Sequence, residues 1–582
     1  MRAVLRTSLA LALAALPFEL AAGFAAGPIT LTNVELLLLL PLGLWALVLG
    51  VEQRWPDLPR WLLVGSALVV GLLLLSAALA TEQRLGALKF ALRQAQGAAF
   101  ALCLADTLRQ MGGARLFAGA LLGGAGVSAA LGLLELSEAP RVMAALAPFK
   151  TESTYMGGLL RLSATFSYAN TAAQYFEALL PLSVLVAIGG WAGRSLLARA
   201  ARFVLPPLLL LATLLTYSRA ALLTTSALLV LTPLVAWRAL GPRAGRYAGL
   251  AGAGLAALGL GLAVASPTFR LRVTEPDVAR WYGAIYQPSP VAPMAPNERR
   301  AVPIALTNNG RLTWQHTGLR PVRLAYHWLD AETGAVVRFE GVRTELPHPV
   351  APGATVTLTA TVQAPDRPGR YVLAWDLLRE YIGRGWFSQM GVAPARLTVE
   401  VGGSPAPGVA PPPAEPASTP RVIAPQPGPP GRRELWLVAL ELWSERPLLG
   451  IGPDVFRHVY GPRLGLQVFD ARVHTNNLYL ELLTGAGVAG LLAFLGMVGA
   501  GFWMGLQALP RGALANDVLA GALLGVAAFM LHGALDVFLA FTPTYGLFWT
   551  LLGMLGGAGA GGPDVDSGGG RSTNSWKHAR SG

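Results

Sequence analysis

The feature that most constrains the fold is a series of long apolar stretches. Twelve windows are each long enough to cross about 30 Å of hydrocarbon as a helix of roughly 20 residues. Because 53% of the residues are hydrophobic and only 13% are charged, an ordinary soluble domain is excluded. The sequence predicts an all-α polytopic membrane protein with about 12 transmembrane helices. The windows lie near residues 5–26, 32–51, 61–80, 85–105, 115–135, 171–190, 198–216, 219–237, 247–266, 486–508, 517–534 and 541–558.

The first window has two interpretations, because Arg2 and Arg6 precede its apolar run and small residues follow it. It is either a span or a cleaved signal peptide. The sidedness of the other windows follows from the bias of cations towards the cytoplasm. With both termini inside, the cytoplasmic segments carry 16 Arg and Lys residues and the short outer loops carry five. The sequence thus predicts a multi-pass protein of the cytoplasmic (inner) membrane, with the long segment after the ninth window outside the cytoplasm.

That long segment, residues 268–403, contains no spanning window. Stretches such as ATVTLTATV and ARLTVEV have strand-like patterning and are separated by Asn-Gly and Pro-Gly turns. The pattern predicts an inserted extracytoplasmic all-β sandwich of immunoglobulin-like type. Its tryptophans either fill the core or form an aromatic platform for a sugar. They are Trp314, Trp328, Trp375 and Trp386.

Composition sets the remaining boundaries. Residues 404–431 hold 11 prolines and are predicted to form an extended linker. The cations are scattered at span ends, which argues against a nucleic-acid partner, and the histidines of the insert lack the spacing of metal ligands. No metal or cofactor is therefore predicted. The other predicted parts are a membrane domain with spans 1–9 at 1–267, a periplasmic catalytic loop with spans 10–12 at 432–558, and a disordered cytoplasmic tail at 559–582.

Polar residues gather on the predicted outer side. A charge near membrane depth costs roughly 2.5–3.5 kcal/mol, so its presence invites a functional interpretation. Each of these charges also has a purely structural explanation. Arg219 can be an ordinary cation at the end of a span, and Arg161 an ordinary loop cation. His532 and Asp536 can be a polar pair at the end of a helix. The sets are residues 161–170, Tyr217–Arg219, Arg432 to Asn477, and His532 with Asp536.

Four stretches carry a family resemblance: RLSATFSYAN, LLTYSRAALL, GRRELWLVALELWSERPLLGIGPDVF and NNLYLELLTGAGVAG. In order and spacing they resemble the O-antigen ligase and polysaccharide polymerase superfamily. The resemblance implies a glycosyltransferase-C-like fold and a metal-independent glycosyltransferase. Its donor would be a glycan linked to undecaprenyl diphosphate, and its acceptor a glycan or a lipid, at the outer face of the membrane.

The resemblance also implies roles for individual residues. Arg219 and Arg432 become the candidates for stabilising the departing diphosphate, because guanidinium groups bind phosphate in bidentate geometry. Arg433 takes the place of Arg432 if the register is off by one. Arg161 is predicted to hold the donor. The other predicted substrate-binding residues are Asn170, Ser218, Asn476 and Asn477.

The predicted catalytic base is His474. In similar ligases a histidine directly before the asparagine takes the acceptor proton, but that position is Asn476 here, and an amide cannot accept a proton. If residues 474–484 were helical, His474 and Asn476 would point about 200° apart. His474 therefore replaces the family histidine only if the chain before Asn477 is extended or kinked. Glu481 is an alternative base or a partner for an arginine.

Other hypotheses stay open from the sequence alone. If His474 is not the base, it is a polar loop residue in an enzyme that needs no strong base. Alternatively, the protein is an inactive or non-ligase homologue. A transporter or flippase of lipid-linked saccharide would need coupling-ion carboxylates at mid-membrane, where Glu177 and Glu19 are the nearest. A third hypothesis is a non-catalytic scaffold whose sandwich binds glycan.

Overall fold

The computed structural model describes residues 1–26, 29–151, 153–156, 159–189, 196–275, 278–318, 320–380, 385–402, 430–467, 469–509 and 516–557. The predicted tail and nearly all of the predicted linker lie outside this part of the chain. The chain divides into two compact units. The first comprises Met1–Thr154, Arg161–Leu262 and Pro429–Gly582, and the second comprises Tyr155–Leu160 and Ala263–Gly428.

Helices dominate the first unit, because most of its segments are apolar and long. Within the described residues the helices are α1 (Arg2–Ala15), α2 (Asn33–Glu52), α3 (Arg60–Leu79), α4 (Arg84–Met111), α5 (Ala114–Glu135), α6 (Pro140–Leu146), α7 (Ala169–Ile188), α8 (Leu196–Leu215), α9 (Arg219–Leu240), α10 (Pro242–Ala265), α11 (Pro267–Thr274), α12 (Arg432–Glu445), α13 (Phe456–Arg463), α14 (Leu478–Ala508), α15 (Asn516–Gly533) and α16 (Thr542–Gly557). Of these, α11 lies in the second unit.

Eight of the described helices are long and apolar enough to cross a membrane: α2, α3, α5, α7, α9, α10, α14 and α15. Each of the 12 sequence windows overlaps a helix, but the full count of 12 spans stays a prediction. The first predicted window, residues 5–26, extends beyond the helix that the structure has there. Helix α1 has 14 residues and ends two residues before Pro17, whose ring and missing N–H disfavour a continuing helix. The helix α7 is buried along almost its whole length and packs against α8, α9 and α15.

Helix α14 is interrupted at Gly487, and the loop after α12 packs against this interruption. Gly487 has φ 68° and ψ −173°, outside the helical region. The freed backbone pairs with the loop after α12, where the N–H of Ile451 donates to Thr484 O at 2.9 Å and the N–H of Val488 donates to Pro447 O at 2.9 Å. A side chain at Gly487 would lie 2.2 Å from the backbone of Leu448. The LLGIGPDVF and GAGVAG stretches are therefore interlocked through main-chain contacts.

Gly487→Ala is expected to destabilise the protein, since only glycine adopts this backbone conformation readily. The backbone strain alone costs about 1–3 kcal/mol, and the clash with Leu448 adds to it. Thermal denaturation in detergent micelles measures the effect. Gly496→Ala in the same helix is the matched control, because its new methyl group would meet no atom within 4 Å. Equal melting temperatures for the two variants would contradict the interlocking.

The second unit is built mainly from antiparallel strands. One sheet has the order β10 (Thr355–Gln363), β6 (Arg299–Thr307) and β5 (Ile285–Pro288). The other has the order β12 (Ala395–Val401), β11 (Gly369–Arg379), β7 (Val322–Asp330) and β8 (Val336–Arg338), with β9 (Thr344–Glu345) paired to β7. Residues of both sheets share one hydrophobic core. That the second unit is of immunoglobulin-like type stays a prediction. The described strands of the whole chain are β1 (Phe24–Ala26), β2 (Ile29–Leu31), β3 (Tyr155–Met156), β4 (Leu159–Leu160), β5 (Ile285–Pro288), β6 (Arg299–Thr307), β7 (Val322–Asp330), β8 (Val336–Arg338), β9 (Thr344–Glu345), β10 (Thr355–Gln363), β11 (Gly369–Arg379) and β12 (Ala395–Val401).

The four tryptophans noted in the sequence are buried. Trp314, Trp328 and Trp375 belong to the shared core, at 1% exposure or less. Trp386 packs on the other face of the larger sheet, beside Phe339. Their burial supports core packing and does not support an exposed aromatic platform for a sugar.

Candidate active site

The segment that carries His474 is not helical. Helix α14 begins at Leu478, and the Asn477 side chain caps it by accepting hydrogen bonds from the N–H groups of Tyr479 (2.9 Å) and Leu480 (3.0 Å). Asn476 has a left-handed backbone with φ 51°, which asparagine tolerates better than most residues. The chain before Asn477 is therefore kinked, as a base at His474 requires.

Because of this kink, His474 faces a carboxylate of the first helical turn. Its Nδ1 lies 3.3 Å from Glu481 Oε1 and 4.0 Å from Asp454 Oδ1. The second oxygen of Glu481 accepts the N–H of Thr475 at 3.1 Å, which fixes the carboxylate. Glu481 is thus a partner of the histidine, not of an arginine.

The surroundings of His474 control its proton affinity. Burial alone would lower the pKa of His474, but the charges of Glu481 and Asp454 outweigh it and raise the pKa above its ordinary value. A small cavity adjoins this pair, lined by apolar side chains of α3, α4 and α14 together with Asp454 and Glu481. The carboxylate that faces the imidazole therefore lies at the edge of an apolar space.

Asp454 is itself held in place by Arg457. The guanidinium donates from Nε and Nη2 to the two carboxylate oxygens, at 2.8 and 2.9 Å. Asp454 has φ 62°, a strained conformation for a residue other than glycine, and such strain often accompanies functional sites. His458 lies nearby, and burial followed by the charge of Arg457 lowers its pKa. These residues form a second layer of charge beside His474.

Arg161 connects two of the polar sets. Its Nε donates to the backbone oxygen of Thr216 at 2.7 Å, and its Nη2 donates to Asn170 Oδ1 at 2.6 Å. The Asn170 amide in turn donates to Asp536 Oδ2 at 2.8 Å. The loop before α7, the turn before α9 and the end of α15 are therefore joined by one hydrogen-bonded chain.

Two fully buried ionisable groups continue this chain into the helices. His532 Nδ1 lies 2.5 Å from Glu177 Oε1, and its Nε2 lies 4.0 Å from Asp536 Oδ2. Arg432, the first residue of α12, lies within electrostatic range of His532. The start of α12 therefore lies near this buried pair.

The His474 segment meets the same region. The Asn477 side-chain amide donates to Ala534 O at 3.0 Å, directly after α15. The ring of Phe541 lies 6.2 Å from that of His474 and 5.6 Å from that of Tyr168. Residues of three of the predicted polar sets are therefore joined around the turn between α15 and α16, and Thr216, directly before the fourth set, is joined to them through Arg161.

Three predicted arginines do not join the hydrogen-bonded chain. Ser218 caps α9 by accepting the N–H of Ala221 at 3.4 Å, and Arg219 follows it with an exposed side chain. Arg432 is half-buried and Arg433 is exposed. In the described part of the chain, no hydrogen bond or ion pair occupies Arg219, Arg432 or Arg433. Their guanidinium groups are thus available to an anionic ligand.

The family model named O-Antigen ligase matches residues 421–495. This segment is similar to O-antigen ligases. The matched segment contains Arg432, Asp454, His474, Glu481 and Gly487, so the family resemblance inferred from the motifs is confirmed for this part of the chain. No curated protein matches the chain significantly.

The sequence alone did not predict two features of the site. Asp454 lies in the quoted GPDVF stretch, but nothing in its spacing indicated a contact with His474, 20 positions later in the chain. Glu177 was noted only as a possible mark of a transporter, whereas it pairs with His532. For Glu177 the available signal was that a carboxylate inside a predicted span needs a partner; for Asp454 the sequence offered no such signal.

Proposed function

We propose that this protein transfers a glycan from an undecaprenyl-diphosphate carrier to an acceptor sugar or lipid at the outer face of the cytoplasmic membrane. The observation that carries the proposal is the pairing of His474 with Glu481 inside the segment matched by the O-Antigen ligase model. The hydrogen bonds that join Arg161 to Asn170 and Asp536, and Asn477 to the neighbouring Ala534, support it. In this arrangement both termini are cytoplasmic and the β-rich unit is extracytoplasmic.

In the proposed reaction His474 acts as general base. Donation of its Nδ1–H to Glu481 would leave Nε2 to accept the proton of the acceptor hydroxyl. The acceptor oxygen then forms a bond to the anomeric carbon, while the bond from that carbon to the diphosphate oxygen breaks. The leaving group carries the electron pair away as lipid diphosphate.

Charge stabilisation falls to the arginines in this proposal. Negative charge grows on the departing diphosphate. The guanidinium groups of Arg219 and Arg432, which have no hydrogen bond or ion pair among the described residues, would bind it without a metal ion. Arg161 is held by Thr216 and Asn170 and so presents a fixed cation for the donor. The positive charge that develops at the anomeric carbon resembles that of glycoside hydrolysis.

The test is transfer by the purified protein in proteoliposomes that contain an undecaprenyl-diphosphate glycan and an acceptor. A covalent glycan–acceptor product supports the proposal. Longer chains on the carrier itself would identify a polymerase, and attachment to a lipid acceptor would identify a ligase. Movement of the donor across the bilayer without any product would favour the transporter instead, for which the buried Glu177–His532 pair is the supporting observation.

The pH dependence of transfer should report the pKa of His474. A base acts in its deprotonated form, so the rate falls as the pH decreases through this raised pKa. In Glu481→Gln the stabilising negative charge is gone, and the acidic limb should move to lower pH by about one unit or more. Rate–pH profiles of the two proteins measure the shift. Glu434→Gln, at an exposed position of α12, is the control, and coincident profiles for Glu481→Gln and the wild type would argue against His474 as the base.

A further inference from the structure

A short hairpin from the membrane-domain sequence belongs to the β-rich unit. Strands β3 and β4 lie between α6 and α7, yet residues Tyr155–Leu160 group with the second unit. Tyr155 pairs with Leu160, and Met156 pairs with Leu159. Met156 and Leu159 pack against the shared core of that unit. The Arg320 guanidinium lies 5.3 Å from the centre of the Tyr155 ring, which is a cation–π contact.

The hairpin depends on the β-rich unit for its order. Two strands with two residue pairs are not stable in isolation, because they bury too little surface to offset the loss of chain entropy. This hairpin is stabilised by Met156 and Leu159, which pack on the core, and by the Tyr155 ring, which lies beneath the Arg320 guanidinium. Its conformation is thus imposed by a part of the chain more than 100 positions away in sequence.

The residue that directly follows the hairpin is Arg161. Its N–H donates to Thr154 O at 2.9 Å, which closes the base of the hairpin. Its side chain reaches Thr216 and Asn170. The backbone position of the proposed donor-binding arginine is therefore fixed on one side by the hairpin and on the other by the polar network.

We propose that the β-rich unit positions Arg161 for the lipid-diphosphate donor through the hairpin 155–160, with Tyr155, Met156 and Leu159 as positioning residues. The effect on donor binding rests on the proposed function, whereas the packing of the hairpin on the β-rich unit does not. A docked hairpin orders Arg161 before the donor arrives, so binding does not have to order it. The inserted unit thereby takes part in donor binding without itself touching the glycan.

The test uses the full-length double variant Met156→Asp/Leu159→Asp, which places charges against the apolar core. Two quantities are measured. Hydrogen exchange at the Arg161 amide should become faster, because its bond to Thr154 opens more often. The kcat/KM for the lipid-linked donor should fall by roughly 10- to 100-fold, mainly through a higher KM, as expected for a misplaced binding group.

Two control variants separate docking from general damage. Val337→Asp introduces the same kind of charge at an exposed apolar position of β8, and should change neither quantity. Tyr155→Phe retains the ring beneath Arg320 and should retain the wild-type kcat/KM, whereas Tyr155→Ser should lower it. Melting of the tryptophan-rich core, followed by intrinsic fluorescence, checks that the unit remains folded in each variant.

Unchanged exchange at Arg161 in the double variant would overturn the docking. Faster exchange with an unchanged kcat/KM would overturn the positioning role. If the wild-type protein shows no glycan transfer at all, the proposed function fails, and the exchange measurement still decides whether the hairpin is held by the β-rich unit.

Discussion

His474→Ala is expected to lower the rate of glycan transfer by roughly 10²- to 10⁴-fold, the usual contribution of a general base. The side chain is 12% exposed and directed by Glu481, so that its loss removes a positioned base and not a surface group. The radiolabelled transfer assay in proteoliposomes gives the rate, and the length of surface polysaccharide in complemented cells gives an independent measure.

Asn476 provides the matched comparison for this prediction. It occupies the position of the family histidine, but it has φ 51°, and alanine there would add backbone strain to any chemical effect. Asn476→Gly preserves the left-handed conformation and removes only the amide. We expect this variant to lose less activity than His474→Ala, because it removes a predicted hydrogen-bonding group of the substrate site and not the base. Near-normal transfer in His474→Ala would mean that the reaction needs no strong base at this position.

Arg219→Ala and Arg432→Ala are each expected to lower transfer by roughly 10²- to 10³-fold, the cost of removing one donor to a developing anion. Neither side chain has a hydrogen bond or ion pair among the described residues, so the melting temperature should hardly change. Loss of function without loss of stability distinguishes a ligand-binding cation from a structural one. Membrane insertion and melting temperature are measured beside the rate.

Conservative variants sharpen this second prediction. Arg219→Lys keeps the charge but removes the planar fork, so only partial recovery is expected if the diphosphate is bound in bidentate geometry. Arg433→Ala is the matched control for Arg432→Ala, because the two residues are adjacent at the start of α12. A large effect at Arg433 with none at Arg432 would move the diphosphate contact by one residue. Wild-type rates in both Arg219→Ala and Arg432→Ala would reject the glycosyl-transfer proposal.

Features that depend on neighbouring residues were predictable from the sequence. Apolar windows long enough to span a membrane gave the positions of the helices, since hydropathy is a local property. The same reasoning overextended the first window, because Pro17 lies inside it and the helix ends at Ala15. The alternation of the ATVTLTATV stretch correctly predicted a strand, β10, whose residues alternate between buried and exposed positions.

The partners of the site residues could not be predicted, because they are distant along the chain. Asn170 and Asp536 are 366 positions apart, and Glu177 and His532 are 355 apart. A sequence shows that such polar groups need partners, but it does not show which partner each one finds. The hairpin 155–160 was not predicted for the same reason, since it packs against core residues that lie more than 100 positions later in the chain.

By itself, the sequence determined that this chain is a polytopic helical protein with a β-rich insert and the motifs of an O-antigen ligase. These properties arise from local hydropathy, strand periodicity and short motifs, which can be recognised without knowing any long-range contact. Only the tertiary structure decided that His474 faces Glu481. That contact depends on a kink at Asn476, where the start of α14 and a left-handed backbone turn the imidazole towards a carboxylate on the first helical turn.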